Sequence, residues 1–298
     1  MEKIFLVANP RSGTLKLKNH LLEIVQIFSD ANFSVTVYPT KCRGDATKVI
    51  SHLSDEYSTI ICCGGDGTLN EVITGIMKNE NRYRLGYIPA GTLNEWSSGL
   101  KISRDMIKAA KDIVDGRLIS LDIGLFDNKF FTYTASFGAF TDASYSAPQE
   151  MKNVLGQAAY IIEGLKSIGN IRPIHMTFTH DGGTVTGDFL FGSVSNSLSL
   201  GGIIKLDETA VQLNDGKFEV LLIKNPANLS QFNNIITAIL KKDFSDPNIE
   251  FFRTECLKIE APRNIPWTLD GEQGFPSHDK FVIENINSAI SFYVPNIS

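Results

Sequence analysis

The chain has 298 residues, of which 43% are hydrophobic and 20% charged with both signs mixed, the composition of an ordinary globular protein long enough for two domains. A formal net charge of -5 argues against a dedicated nucleic-acid binder, whose affinity comes from Lys and Arg neutralising phosphates. No apolar run approaches the ~20 residues that span a bilayer, and Met1-Glu2-Lys3-Ile4 enters a strand at once with no signal-peptide layout, so a cytoplasmic location is expected. Cys42, Cys62, Cys63 and Cys256 lack metal-ligand spacing and are expected to be reduced, small apolar fillers.

Strand and helix patterns alternate from residue 3 to about 116, the sequence form of a parallel sheet covered on both faces. A strand over 3 to 8 precedes a helix with Leu17, Leu21, Leu22, Val25 and Phe28 on one side. A strand over 33 to 38 precedes a helix carrying Ala46, Val49, Ile50 and Leu53. The β-rich run Ser58-Thr59-Ile60-Ile61-Cys62-Cys63 is followed by Gly64-Gly65-Asp66-Gly67-Thr68 and then by apolar residues at helical spacing from Leu69 to Met77. A strand over 84 to 88 leads to Pro89-Ala90-Gly91-Thr92-Leu93-Asn94-Glu95, and a helix from about Asp105 to Val114 ends before Gly116. This half is α/β.

After Asp122 short alternating strands separated by turns predict an antiparallel sandwich or barrel-like domain, interrupted by helical patterns at about 148 to 168 and 228 to 241. The apolar face Val154, Ala158, Ile161, Ile162 and Leu165 in the first of these reads as core, with a lipid-lining role as the other reading.

Three loops after strands carry the candidate chemistry. A glycine-rich turn at a helix start presents backbone N–H groups without side chains in the way, and the helix adds partial positive charge, which suits phosphate. Gly64 to Thr68 fits that description, and Asn9-Pro10-Arg11-Ser12-Gly13 and Pro89 to Glu95 are similar in character. In an open parallel sheet the carboxyl ends of neighbouring strands lie side by side, so these loops are expected to face one ligand. Asp66 beside phosphates reads as a metal-holding or orienting acid, or else as a helix cap. Asp270-Gly271-Glu272 puts two carboxylates on one side of an extended segment with a glycine between, a candidate acid–base pair or a plain Asp-Gly hairpin turn. Asn214-Asp215-Gly216 also has the turn reading. Lys152 and Arg11 could reach phosphate oxygens, the plainer reading being solvated surface groups, and the five histidines show no ligand spacing.

Taken in order, these motifs resemble the diacylglycerol-kinase catalytic-domain family, the bacterial lipid kinases related to sphingosine and ceramide kinases. The resemblance rests on Asn9 to Gly13, Thr40 ahead of Gly44-Asp45-Ala46, Gly64 to Glu71, Pro89 to Asn94, Leu121-Asp122-Ile123-Gly124, Lys152, Gly156 and Tyr160. It continues through Ser195-Asn196, Gly201-Gly202, Asn214-Asp215-Gly216 and Leu269-Asp270-Gly271-Glu272. It implies a nucleotide-binding α/β domain over 1–124, rejoined by a last strand at about 288–298, and a β-sandwich lipid-substrate domain over 125–287. It implies transfer of the γ-phosphate of ATP to a lipid hydroxyl with Mg2+. Asn9, Pro10, Arg11, Ser12, Gly13, Thr40, Gly65, Asp66, Gly67, Thr68, Leu69, Asn70, Glu71, Thr92, Asn94 and Glu95 would surround the nucleotide. Asp270 and Glu272 would sit at the reacting hydroxyl, and Asp215 would hold a magnesium ion with backbone carbonyls at Gln212 and Lys217.

Two positions depart from the family pattern. Glu95 stands where Asp is usual after Gly-Thr-x-Asn, and Ser98 where Arg is common, which removes a bidentate phosphate or carboxylate partner. Competing readings are a soluble-metabolite kinase resembling NAD kinase and a nucleotide- or lipid-binding sensor without turnover. The basic groupings Lys16 and Lys18, Lys101 with Arg104, and Lys241-Lys242 predict weak, salt-sensitive contact with a membrane surface carrying the lipid substrate. A monomer and a homodimer are both open.

Overall fold

The computed structural model describes residues 1–13, 17–92, 94–138, 172–197, 199–200, 204–205 and 212–296. It divides into two compact units, Met1–Asp122 with Ser288–Ser298, and Ile123–Asn287.

The first unit alternates β1 (Glu2–Ala8), α1 (Leu17–Asp30), β2 (Phe33–Pro39), α2 (Asp45–Ile50), β3 (Tyr57–Gly64), α3 (Asp66–Lys78), β4 (Arg84–Pro89), α4 (Glu95–Gly99) and α5 (Met106–Asp115). Its strands pair in parallel in the order β2-β1-β3-β4. The sheet centre is read directly from composition: Ile60, Ile61, Cys62 and Cys63 are all fully buried, as a strand covered by helices on both faces requires. Asp105 caps α5 by accepting a hydrogen bond from the Lys108 N–H at 2.8 Å. α2 and α3 pack closely because position 75 has no side chain; a Cβ on Gly75 would lie 2.6 Å from Ile50 Cβ.

Two expectations for this unit need correction. The buried stripe of α1 is Leu17, Ile24 and Phe28, while Leu22 is 81% exposed. Residues 17, 21, 24 and 28 follow one helical face, and Leu22 falls a turn fraction off it. Cys42 is also exposed, on the loop before α2, whereas Cys62 and Cys63 are the buried fillers expected of β3.

The chain leaves this unit within β5 (Arg117–Phe126) and builds the second from β6 (Lys129–Phe131), β7 (Thr134–Gly138), β8 (Ile174–His180), β9 (Gly183–Ser195), β10 (Ser199–Leu200), β11 (Ile204–Lys205) and β12 (Phe218–Lys224). α6 (Leu229–Lys241), β13 (Ile249–Thr254), β14 (Cys256–Glu260), β15 (Trp267–Leu269), β16 (Glu272–Gly274) and β17 (Lys280–Val294) complete it. Pairing here is antiparallel, along β16-β15-β7-β9-β8-β14-β17, with β12 and β13 branching from β9. β17 returns to the first unit, where its far end pairs in parallel with β4 at Ser291 and Phe292. The Ser288 N–H donates to Asp122 Oδ1 at 2.7 Å, tying the point of return to the point of departure.

An aromatic core fills the second unit. Trp267, fully buried, lies 4.8 Å from Phe137, 5.1 Å from Phe126 and 5.7 Å from Phe281, ring centre to ring centre. β12 is apolar on both faces because Phe218, Val220 and Leu222 join this core while Leu221 and Ile223 pack with Ile235 and Ile239 of α6. The expected helix at about 148 to 168, with Lys152, Gly156 and Tyr160, lies outside the described residues, as does Gly201-Gly202.

Candidate functional site

Parallel pairing places the carboxyl ends of β1, β3 and β4 at one sheet edge, and the three loops that follow them touch through backbone. The Asn9 N–H donates to Cys63 O at 2.9 Å and the Ala90 N–H to Gly64 O at 2.7 Å, extending the sheet ladder into the loops. Asn9 Nδ2 donates to Thr68 Oγ1 at 2.8 Å. A Cβ on Gly13, whose φ is +50°, would lie 2.5 Å from Ala90 O, and one on Gly91 would lie 2.5 Å from Gly65 Cα. Only glycine permits that approach, and the result is a concentration of side-chain-free backbone around the start of α3. The first-turn N–H groups of a helix point out of its N-terminus without intrahelical partners, so the turn at Gly65, Asp66 and Gly67 has the geometry that holds anions.

The structure gives several of the predicted nucleotide residues narrower duties. Asn94, 4% exposed with φ +50°, closes its own loop: its Oδ1 accepts from the Gly91 N–H at 3.0 Å and from Tyr87 Oη at 3.1 Å, and its Nδ2 donates to Gly91 O at 2.8 Å. Tyr87, missed in the sequence because a strand tyrosine reads as core, is the buried post on which that turn rests. Asn9 Oδ1 takes the Arg11 N–H at 3.0 Å and shapes the first loop in the same way, Pro10 and Ser12 lying within it. The Thr40 N–H extends β2 by donating to Ala8 O at 2.9 Å.

Glu71 and Leu69 face elsewhere. The Glu71 carboxylate accepts the N–H groups of Gly44 at 2.7 Å and Ala46 at 3.3 Å, so it anchors the start of α2 to α3. Leu69 is 1% exposed and its N–H donates to Gly65 O at 3.0 Å, which makes it part of the core under the loop. Asn70 lies one turn in from the loop, with Thr74 Oγ1 3.5 Å from its Oδ1, and Thr92 is exposed. Glu95 begins α4. Arg104 Nη2 approaches Ser98 Oγ to 3.4 Å, so a guanidinium reaches the position where the motif lacks one.

In the second unit Asp270 and Gly271, at φ +50° and +83°, form the two-residue turn between β15 and β16. The hairpin reading of Asp-Gly is therefore correct as geometry. The Asp270 carboxylate does more than turn the chain. It accepts the Thr132 N–H at 2.6 Å, Thr132 Oγ1 at 2.7 Å, the Tyr133 N–H at 2.9 Å and the Thr134 N–H at 3.1 Å. Burial pushes its pKa up, against the pull of these donors. Glu272, at the head of β16, is exposed. Beside this anchor a cluster of buried hydroxyls links β7 and β9. Thr134 Oγ1 lies 3.2 Å from each of Ser136, Ser193 and Ser195, and Ser193 lies 3.0 Å from Ser195. The period-2 spacing of Thr134 with Ser136 and of Ser193 with Ser195 was the available signal for that cluster.

Asp215 turns the chain into β12, its Oδ1 accepting the Lys217 N–H at 3.1 Å, while its Oδ2 is ion-paired with Arg253 Nη2. Gln212 is exposed. Arg253 Nε also reaches Glu219 Oε1 at 3.0 Å. With both Asp215 oxygens engaged and a guanidinium beside them, these residues do not fit a magnesium site. Among the described residues no three His, Cys, Asp or Glu side chains cluster as metal ligands.

Glu219 is 1% exposed, and burial raises its carboxyl pKa to about 7, with Arg253 pulling the other way. A carboxyl whose native pKa lies above its unfolded value contributes stability at acid pH that is lost as pH rises through the native value. The melting temperature is therefore expected to carry a downward slope from about pH 5 to pH 7 that Glu219→Gln removes, as scanning calorimetry across that range would measure.

The chain thus joins a parallel α/β unit with glycine-rich loops at its strand ends to an antiparallel β unit. Residues 3–126 match the family described as diacylglycerol kinase catalytic domain, and residues 135–282 match the YegS C-terminal NAD kinase beta sandwich-like domain. The chain is 33% identical over 285 residues to the diacylglycerol kinase of Bacillus subtilis (strain 168), covering 95% of this chain and 93% of that one. It is 30% identical to the diacylglycerol kinase of Staphylococcus carnosus (strain TM300), covering 97% and 94%. A crystal structure of a diacylglycerol kinase from Bacillus anthracis str. Sterne matches with a TM-score of 0.78 at 26% identity, covering 99% of this chain and 97% of that one. The chain belongs to the diacylglycerol kinase catalytic-domain family, and it is a kinase. Among the described residues no helix is long and apolar enough to cross a membrane.

Proposed function

We propose that the protein transfers the γ-phosphate of ATP to the hydroxyl of diacylglycerol or a closely similar lipid. The observation that carries this reading is the meeting of Gly13, Gly65 and Gly91, where a Cβ on Gly13 or Gly91 would collide with backbone at 2.5 Å. Backbone N–H groups freed of side chains, with the N-terminus of α3 among them, suit a triphosphate. Asn9, Thr68 and Asn94 hold the loops in register, and Arg11, exposed on the first loop, would pair with phosphate oxygens. Thr40 and Thr92 border the same sheet edge.

Phosphoryl transfer needs positioning and charge neutralisation more than covalent chemistry. Asp66, in the phosphate loop, is the acid that would hold a magnesium ion, which would neutralise phosphate charge when bound. The acceptor hydroxyl loses its proton to a carboxylate as its oxygen forms the new bond to phosphorus and the bond to the ADP oxygen breaks. Glu272 is the exposed carboxylate for that proton, and Asp270 holds the hairpin that presents it. Contact with the lipid surface is weak and electrostatic, through Lys18, Lys101, Arg104, Lys241 and Lys242.

Radiolabelled ATP offered with vesicles containing diacyl, monoacyl or sphingoid acceptors tests the proposal. Label is expected in diacylglycerol, above all at low salt and only with magnesium. Label in none of the lipids, or in a soluble acceptor instead, overturns it.

A further inference from the structure

We propose that Arg253 is the resident cation of the loop that enters β12, so that this loop holds its fold without a divalent metal ion. The loop bends at Gly216, whose φ of +77° only glycine adopts readily and whose Cβ would meet Asn287 Nδ2 at 2.6 Å. Asp215 fixes the bend by accepting the Lys217 N–H, an Asx turn that needs no ion. Its outer oxygen then meets the Arg253 guanidinium.

What makes Arg253 hard to displace is its second partner. Glu219 and Arg253 are direct cross-strand neighbours on β12 and β13, and Nε donates to Glu219 Oε1 at 3.0 Å. Glu219 is 1% exposed, and among the described residues its Oε2 has no hydrogen-bond partner. The guanidinium therefore serves a buried carboxyl that has little else to hold it. Seating a divalent cation on Asp215 would drive a like charge against Arg253, and moving Arg253 aside would leave Glu219 stranded. Arginine suits this post because its fork offers separate N–H groups to the two acids and its charge does not titrate away.

Melting curves of the chelated protein, recorded without nucleotide in EDTA and in millimolar MgCl2, test the proposal. The wild-type curves are expected to superimpose. Arg253→Gln is expected to melt roughly 10 °C lower and to gain a magnesium-dependent rise, because Asp215 then lacks a cation; adding Asp215→Asn removes that rise. Arg253→Lys, which keeps the charge without the fork, is expected to fall between Arg253→Gln and wild type and provides the comparison should Arg253→Gln not fold. A wild-type melting temperature that climbs several degrees with magnesium, and stops doing so in Asp215→Asn, overturns the proposal. None of these readouts involves phosphate transfer, so they stand or fall apart from the lipid-kinase reading.

Discussion

Gly91→Ala is expected to lower the rate of phosphate transfer by about 100-fold while leaving the second unit folded. A Cβ at position 91 would lie 2.5 Å from Gly65 Cα and 2.7 Å from Asn94 Oδ1, both well inside contact distance. Backbone cannot yield as the tip of a long side chain can, so the loops after β3 and β4 must part. That separation breaks the Asn94 bridge to the Gly91 N–H and shifts the amides proposed to hold the phosphates. A displacement near 1 Å in a positioning element is enough for a rate loss of this order. Gly99→Ala is the control, since a Cβ there meets nothing within 4 Å. Steady-state transfer assays on both variants measure the difference. Equal rates would mean that the contact between the loops has no part in holding the phosphates.

Asp270→Asn and Glu272→Gln are expected to fail in different ways. Four donors from residues 132 to 134 converge on the Asp270 carboxylate. An asparagine offers one oxygen and turns an NH2 toward donors that need an acceptor. Leaving even one or two of these groups unsatisfied costs about 2–4 kcal/mol, so Asp270→Asn loses both stability and activity. Glu272 is exposed, and its replacement by Gln costs little stability. Glu272 is the proposed proton acceptor, and removing such a carboxylate reduces transfer by roughly 100- to 10,000-fold. Chemical denaturation alongside rate measurement separates the two cases. A Glu272→Gln enzyme with full activity would return the role of proton acceptor to another group.

Much of this protein is legible in its sequence. The alternation from Ile4 to Val114 gives the parallel α/β half, and Gly64 to Thr68 marks the turn into α3 by composition alone. Leu22 shows the limit within one element: hydrophobicity said buried, but the helical phase of Leu17, Ile24 and Phe28 turned it outward. Glu71 shows the limit between elements. Its position in the Gly-rich motif suggested a ligand contact, whereas its carboxylate binds the start of α2, 25 residues and more away in sequence.

Periodicity, glycine placement and the order of motifs fixed the fold class and the kinase family, because strand and helix patterns and left-handed turns are local properties of the chain. Partners were settled only by tertiary structure. Asp270 is joined to Thr132, Asp215 to Arg253 and Asn94 to Tyr87 by side-chain directions that no spacing rule encodes, and a carboxylate's chemistry depends on whether the group facing it is an amide, a guanidinium or water.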